Sequence, residues 1–207
     1  MIDPLDETVK TYQQHFNTYV GRIPVIPEGE MKEWMDTFAS YIPKGGTILE
    51  LGSASGRDAR YLSSKGYTCV CTDIIPEALR KLSKEGFETA EYDFRNEPKA
   101  EWVGKFDAVF ANAVLLHAPQ SVFEFALKNI ATILNNDGVV AFSLQSGDGE
   151  KIESDRIGAP RYFRYHSVEG IRDILNKLPF EVISITSSED DKWIRVIASK
   201  KDLSPKL

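Results

Sequence analysis

The chain has 207 residues, of which 42% are hydrophobic and 27% charged, the composition of an ordinary globular domain. Its 25 basic and 31 acidic residues give a formal net charge of -6, which argues against a nucleic-acid scaffold with a basic surface. The N-terminus lacks a basic start followed by an apolar run, and no stretch approaches the roughly 18 uninterrupted apolar residues of a membrane helix. We therefore expect one cytoplasmic domain, 1–207, without membrane contact; the oligomeric state is left open.

Two amphipathic helices are predicted before the first strand. In the first, 5–20, apolar side chains recur at the three- and four-residue spacing of a helix face. The second runs from Met31 to Ile42 and ends at Pro43 and the pair Gly45-Gly46. We expect these helices, within 1–44, to form a cap over whatever the core binds.

From residue 47 onward, strand and helix patterns alternate. The predicted strands are 47–51, 67–72, 87–92, 106–111 and 139–144, and the predicted helices are 58–65, 76–84 and 120–135. Asn135-Asn136-Asp137-Gly138 is predicted to be a turn into the last of these strands. Near-continuous apolar strands separated by helices predict a doubly wound α/β fold, with a parallel sheet covered on both faces.

The last third of the chain has a different pattern. Residues 145–160 are polar and contain glycines, so a loop is predicted there. A helix pattern follows between Val168 and Leu178, and then two strands, 180–187 and 193–199, are joined by a polar turn. This hairpin would add an antiparallel strand to the sheet. We expect 45–145 to be the binding core and 146–207 to form a substrate-side loop and the C-terminal hairpin.

The segment from Ile48 to Leu62 passes from an apolar run through small residues into a helix-forming sequence. Its glycines, Gly52 and Gly56, lie in a loop where backbone N–H groups are free and side chains are minimal, so a ligand can approach closely. Asp73 follows 21 positions after Gly52, where an acidic residue accepts hydrogen bonds from the ribose hydroxyls of a nucleoside. The pattern fits NAD or another adenosine cofactor, although the third glycine of GxGxxG is missing.

Five motifs in order resemble those of the class I S-adenosylmethionine-dependent methyltransferases over residues 45–145. They are Glu50-x-Gly52-x-x-x-Gly56, Asp73, Asp93-Phe94, the strand and loop from Phe106 to His117, and Asn135-Asn136-Asp137-Gly138-Val139-Val140. The resemblance implies a Rossmann-like, mostly parallel sheet of seven strands with an antiparallel C-terminal strand. It also implies S-adenosylmethionine as cofactor, with the Asp93 carboxylate accepting from the exocyclic amine of adenine.

The cofactor-binding residues implied by the resemblance are Glu50, Gly52, Ser53, Gly56, Asp73, Ile74, Asp93, Phe94, Asn112 and Ala113. For Glu50 two interpretations stay open: an acceptor that orients the loop, or a partner near the cofactor amine. Ala54 replaces a glycine found in many members, and we expect this replacement to cost little. Methyl transfer is an in-line displacement that needs alignment and exclusion of water, so no metal is expected.

The loop after the fourth predicted strand bears on the acceptor. Enzymes that methylate exocyclic amines of DNA bases often have Asn/Asp-Pro-Pro-Tyr there, whereas this chain has Asn112-Ala113-Val114-Leu115. The following Leu115-Leu116-His117-Ala118-Pro119 resembles the small-molecule members. His117 is a candidate general base. The alternative is a histidine that caps the loop or touches the cofactor.

Arg161-Tyr162-Phe163-Arg164-Tyr165-His166, with Arg156 upstream, is the most unusual substrate-side segment. Arg161 and Arg164 are candidates to bind an anionic or aromatic small molecule, because guanidinium groups match carboxylate and phosphate. An edge strand with solvated arginines and a single-stranded nucleic-acid site are the alternatives. Tyr12 and Tyr19 of the first helix are further substrate candidates, unless they only pack in the core.

The sequence therefore predicts an S-adenosylmethionine-dependent methyltransferase acting on a small molecule. Methylation of tRNA or protein is an alternative on the same fold. A non-catalytic cofactor-binding domain is the alternative of a different class, and an NAD-dependent oxidoreductase is a more distant one.

Overall fold

A computed structural model describes residues 3–154 and 157–201. The helices are α1 Pro4–Val20, α2 Gly29–Ala39, α3 Arg57–Ser64, α4 Pro76–Lys84, α5 Gln120–Ile133 and α6 Val168–Asn176. The strands are β1 Thr47–Leu51, β2 Thr68–Asp73, β3 Glu88–Glu91, β4 Phe106–Ala111, β5 Leu134–Ser146, β6 Glu150–Glu153, β7 Arg161–His166, β8 Phe180–Ser187 and β9 Trp193–Lys200.

The central sheet confirms the predicted fold class. Strands β3, β2, β1, β4 and β5 lie side by side in that order and are parallel. Strand β9 pairs antiparallel with β5, and β8 pairs antiparallel with β9. These seven strands form the mostly parallel, Rossmann-like sheet with a reversed last strand. Because the parallel strands all end at one edge, the loops after β1, β2 and β4 meet there.

Two further strands bring the sheet of the described residues to nine. Strand β6 lies within the segment predicted to be a loop, and it pairs antiparallel with β7. Strand β7 joins the sheet through Gln145↔Tyr165 and Ser146↔His166 of β5. The loop prediction was wrong for residues 150–153. Strand β5 extends past the end of its pairing with β4, and the β6–β7 hairpin covers the edge left there.

The turn predicted at 135–138 is also not a turn, because these residues lie within β5. The pairing with β4 passes from Phe106↔Leu134 directly to Ala108↔Val139, so the polar residues form an irregularity in the ladder. A β-bulge accommodates extra residues of turn-forming type without ending the strand.

The two faces of the sheet are buried by different helices. On one face, Leu49, Val109 and Phe142 lie in a cluster with residues of α5 and α6. On the other face, Phe110 packs with side chains of α2, including Phe38. Helix α1 lies elsewhere: its Phe16 packs in a third cluster, and residues of α1 line a cavity with Gly52 and Asp73. Thus α1 covers the carboxyl ends of β1 and β2, whereas α2 packs on a sheet face.

Candidate active site

The loop after β1 contains two positions that only glycine fits. Gly52 has φ +66°, and a Cβ there would lie 2.5 Å from Val114 Cγ2. Gly56 has φ +77°, and its Cβ would lie 2.2 Å from Leu82 Cδ2. Between them, Ala54 has φ +43°, the left-handed region that costs an L-residue about 1–2 kcal/mol. Alanine at this position therefore lowers the stability of the folded state more than its small size suggests.

Asp73 ends β2 and organises the same loop. Its Oδ2 accepts from the Ala54 N–H and its Oδ1 from the Ile75 N–H, each at 2.8 Å. Burial raises the pKa of this carboxyl above its ordinary value. Each carboxylate oxygen can accept a further hydrogen bond, so the group can hold both the loop and a pair of ribose hydroxyls.

Glu50 lies in β1 directly before the loop, and its side chain is buried. Its Oε2 has no hydrogen-bond partner among the described residues. Burial, followed by the negative charge of Asp58, raises the pKa of Glu50 to about 8. The Ser53 and Ala54 amides donate instead to Thr72 O and Asp73. A buried carboxyl oxygen without a partner fits a cationic group such as an ammonium.

A hydrogen-bonded chain holds the loop after β4. Asn112 Nδ2 donates to Asp58 Oδ2 at 2.9 Å, and Arg57 binds both oxygens of the same carboxylate. Ser143 Oγ donates to Asn112 Oδ1 at 2.7 Å and accepts from the Ala113 N–H at 2.8 Å. Ser143 was missed in the sequence, although one polar residue inside the apolar run of β5 was a usable signal. Asp58 was missed because its partner lies 54 residues away.

Asp93 and Phe94 lie at the end of the site expected to hold adenine. Phe94 lines a small cavity together with Asp73 and Ile74. The Asp93 carboxylate accepts from Arg95 Nε, at 3.0 and 2.8 Å to its two oxygens. Arg95 also reaches Asp6 of α1 at 2.7 Å, so the predicted adenine acceptor is linked to the helix that covers the site.

His117 is buried under α1 and β7, and both its ring nitrogens make contacts. Its Nδ1 lies 2.6 Å from Tyr162 O, and its Nε2 lies 2.9 Å from Tyr12 Oη. Burial, followed by the positive charge of Arg161, lowers the pKa of His117 to about 4. The ring is therefore neutral near pH 7.

Several cavities lie at this edge of the sheet, and two of them share four lining residues. The first, which we call the glycine-loop cavity, has about 100 Å³ and is lined by Gly52, Asp73, Phe94, Asn112 and apolar residues of α1. The second, the aromatic cavity, has about 190 Å³ and is lined by Gln145, Glu153, Arg161, Phe163 and Trp193. Tyr12, Tyr19, Ala113 and His117 line both.

The two candidate arginines of β7 lie on opposite faces of the strand, as the alternation predicts. Arg161 is buried, with its guanidinium carbon 4.8 Å from the centre of the Phe163 ring and 5.7 Å from that of Tyr12. Arg164 pairs with Glu150 at 2.6 Å and lines neither cavity, so the geometry separates it from the site. Arg156 lies outside the described residues.

Within residues 3–154 and 157–201 there is no cluster of three or more His, Cys, Asp or Glu that could hold a metal ion. No helix in this part of the chain combines the length and apolarity needed to cross a bilayer.

Comparisons with known proteins identify the family and the fold of the chain. A model of the methyltransferase domain family matches residues 26–185, whereas no curated protein matches significantly. The structure is similar to that of Burkholderia thailandensis 1,6-didemethyltoxoflavin-N1-methyltransferase, with bound 1,6-didemethyltoxoflavin and S-adenosylhomocysteine. That similarity has 16% identity and a TM-score of 0.74, over 98% of this chain and 92% of the other.

Two other solved structures show the same fold. A putative sarcosine dimethylglycine methyltransferase from Galdieria sulphuraria has 15% identity and a TM-score of 0.68, over 96% of this chain and 98% of that one. A Rhodobacter sphaeroides protein described as a putative Zn-dependent alcohol dehydrogenase has 12% identity and a TM-score of 0.75, over 97% and 99%. At these identities the likeness concerns the fold alone.

The family match covers most of the chain and includes the glycine loop, Asp73 and the loop after β4. The chain therefore belongs to the methyltransferase domain family, and it is an S-adenosylmethionine-dependent methyltransferase with the class I fold.

Proposed function

We propose that this enzyme transfers the methyl group of S-adenosylmethionine to a small molecule bound in the aromatic cavity. The observation that supports this most directly is the shared wall of the two cavities, formed by Tyr12, Tyr19, Ala113 and His117. A cofactor in the glycine-loop cavity and an acceptor in the aromatic cavity would meet at this wall. The reacting atoms would then be close and oriented before reaction, which is the main contribution a protein makes to such a transfer.

The residues around the glycine-loop cavity fit the parts of the cofactor. Asp73 would accept the ribose hydroxyls, and Phe94 and Ile74 would contact the adenine ring near Asp93. The Oε2 of Glu50, which has no partner among the described residues, would accept from the amino group of the methionine part. The missing side chain at Gly52 lets the ligand approach the main chain. When bound, the cofactor supplies a methyl group already activated on a sulfonium.

In this proposal, the residues of the protein exclude water from the site of methyl transfer. Leu5, Val9 and Phe16 of α1 line the glycine-loop cavity and present apolar surface over the ribose acceptor Asp73. A dry site strengthens the fixed electrostatic interactions and prevents loss of the methyl group to water.

A small acceptor is favoured over tRNA or protein. The aromatic cavity has about 190 Å³ and lies between α1, β5 and the β6–β7 hairpin. The negative net charge gives no support to a nucleic-acid acceptor. The Burkholderia neighbour acts on a small molecule, which supports the same class here. The Phe163 and Trp193 rings and the Arg161 guanidinium favour a planar or anionic acceptor.

Methyl-labelled S-adenosylmethionine incubated with the enzyme and a fractionated lysate tests this function. We expect label to enter the fraction of small metabolites and to be suppressed by excess S-adenosylhomocysteine. Label in RNA or protein would overturn the small-molecule proposal. Cofactor binding without label in any fraction would favour a non-catalytic binding domain.

A further inference from the structure

Gln145 lies near the carboxyl end of β5, where the sheet borders the aromatic cavity. Its main chain is paired on both sides, with Tyr165 of β7 and with Trp193 of β9. Side chains of residues directly opposite each other in an antiparallel ladder lie on the same face of the sheet. Gln145 and Trp193 accordingly both line the aromatic cavity, together with Phe163 of β7. A paired strand, rather than a loop, therefore places the Gln145 amide at this cavity.

The fold does not use the amide of Gln145. Its Oε1 is buried and accepts no hydrogen bond from the described residues. Its Nε2 donates none to them either, although this atom is not enclosed as Oε1 is. An amide oxygen that loses water without gaining a donor lowers the stability of the folded state. An apolar side chain would avoid this cost, so the folded structure by itself gives no reason for an amide at this position.

The chemistry of an amide defines what it can bind in the cavity. The last torsion of a glutamine side chain is soft, so a rotation of the amide turns Oε1 toward a ligand. The amide then presents an acceptor and a donor side by side in one plane. This pair is complementary to a ligand edge on which an N–H group adjoins a carbonyl oxygen or a ring nitrogen, as in the recognition of adenine by glutamine.

The rest of the cavity wall favours a planar ligand and leaves polar recognition to this amide. The guanidinium carbon of Arg161 lies 4.8 Å from the centre of the Phe163 ring, so the two groups form one extended apolar and cationic surface. The carboxylate of Glu153 accepts from the Tyr165 hydroxyl. A ligand that approaches Glu153 would compete with this contact, whereas the Gln145 amide has no contact among the described residues to lose.

We propose that Gln145 determines specificity for the methyl acceptor by binding the amide-type edge of a planar ring molecule. Lactams, aromatic carboxamides and amino-substituted nitrogen heterocycles have such an edge. The inference rests on the proposed function, since it takes the aromatic cavity as the acceptor site. Gln145 lines this cavity but not the glycine-loop cavity, so the edge that it holds is separate from the atom that is methylated. Two hydrogen bonds at that edge would fix the rotation of the ring and direct one of its atoms at the shared wall.

Benzamide and acetophenone test this recognition, because they have nearly the same shape and differ by an NH2 group in place of a methyl group. Each is titrated into the S-adenosylhomocysteine complex, and binding is followed by the indole N–H signal of Trp193. We expect wild type to prefer benzamide, and the ratio of the two affinities to fall about three- to tenfold in Gln145→Met, the value of one hydrogen bond. Gln14→Met, at an exposed glutamine, should leave the ratio unchanged.

Gln145→Glu separates recognition from a purely structural role. This variant keeps the size of the side chain but presents two acceptors and no donor, so it matches the paired N–H groups of benzamidine rather than the edge of benzamide. We expect the tighter probe to change from benzamide to benzamidine. Benzylamine, a cation without the planar fork, is the control for charge alone and should gain less affinity.

Three results would overturn the role of Gln145: binding of none of these probes to the wild type, an unchanged ratio in Gln145→Met, or equal gains of benzamidine and benzylamine in Gln145→Glu. Failure of the wild type to bind S-adenosylhomocysteine would instead count against the proposed function. Both variants should retain that binding, because Gln145 does not line the glycine-loop cavity, and its retention shows that they are folded.

Discussion

At the scale of single residues, the binding role that we propose for Glu50 comes with a folding cost. Its carboxyl is buried, and Oε2 finds no partner within the described part of the chain. Such a group costs about 1–3 kcal/mol of stability. An arriving ammonium would offset that cost, so the residue makes the empty site less stable and prepares it for a cationic ligand. Opposition between stability and binding is common at functional sites.

The first prediction concerns Glu50→Gln. The pKa of Glu50 in the folded state is raised to about 8, whereas the unfolded value is about 4.3. The free energy of unfolding therefore falls as pH rises between these two values, and the loss is complete above pH 8. The variant should therefore gain stability relative to wild type as pH rises, by about 1–3 kcal/mol above pH 8, and should bind S-adenosylhomocysteine more weakly. Urea unfolding at pH 6 and 9 measures the first effect.

Glu101→Gln is a matched control, since Glu101 is exposed. It should show no such change with pH. A stability difference for Glu50→Gln that is the same at pH 6 and 9 would mean that the carboxyl is not destabilised by ionisation in the folded state.

The second prediction concerns Ala54, which has φ +43°. Ala54→Gly should raise the free energy of unfolding by about 0.5–1 kcal/mol, because relief of about 1–2 kcal/mol of strain exceeds the added entropy of the unfolded chain. Ala100→Gly, at an exposed alanine without positive φ, should instead lower it. Denaturant unfolding compares the two. A loss of stability in Ala54→Gly similar to that of Ala100→Gly would show that the loop is not strained.

Some of these residues could be predicted from the sequence and others could not. Asp73 was predicted from its spacing to the glycine loop, whereas Phe94 and Asn112 were predicted from the resemblance to class I methyltransferases. The Tyr12–His117 contact joins residues 105 positions apart, and no local pattern encodes such a pair. The strain at Ala54 was not predicted, because the size of a residue does not determine its φ angle.

At the scale of elements, α1 is held over the site by β7. The Tyr162 N–H donates to Thr8 Oγ1 at 2.9 Å, and Thr11 Oγ1 donates to Pro160 O at 2.7 Å. Helix α1 covers the glycine-loop cavity, and its contacts with β7 contribute to the stability of this covered state.

The third prediction concerns this docking. Thr8→Val has nearly the same shape but leaves the Tyr162 N–H without its acceptor, at a cost of about 1–3 kcal/mol. We expect faster amide hydrogen exchange in α1 of the unliganded enzyme, with the central strands unaffected. Thr18→Val, at an exposed position of the same helix, is the control. Equal exchange in the two variants would mean that β7 does not hold α1.

The elements themselves were predictable where hydrophobic periodicity was strong, as in β1, β4 and α5. Strand β6 was not predictable, because Glu-Lys-Ile-Glu has one apolar residue, Ile152, and that residue is 62% exposed. It becomes a strand through pairing with β7, which in turn depends on the edge of β5 beyond β4. Such pairings depend on tertiary context rather than local propensity.

At the scale of the whole molecule, the parallel sheet brings together groups that are far apart in sequence. The loop after β1 and the carboxyl ends of β2 and β4 present Gly52, Asp73 and Asn112 to one cavity, and Glu50 is buried in β1 directly before that loop. Helix α1 covers this cavity, and the β6–β7 hairpin completes a second cavity beside it. We propose that Asp73 binds the ribose of S-adenosylmethionine in the glycine-loop cavity.

Calorimetric titration of S-adenosylhomocysteine and of NAD into wild type, Asp73→Asn and Asp137→Ala tests this claim most directly. We expect wild type and the exposed control Asp137→Ala to bind S-adenosylhomocysteine equally and to prefer it to NAD. Asp73→Asn, which retains a side-chain carbonyl oxygen, should lose about 1–3 kcal/mol of binding free energy. Preferential binding of NAD would contradict the assigned cofactor, and undiminished binding of S-adenosylhomocysteine by Asp73→Asn would show that Asp73 does not bind the ribose.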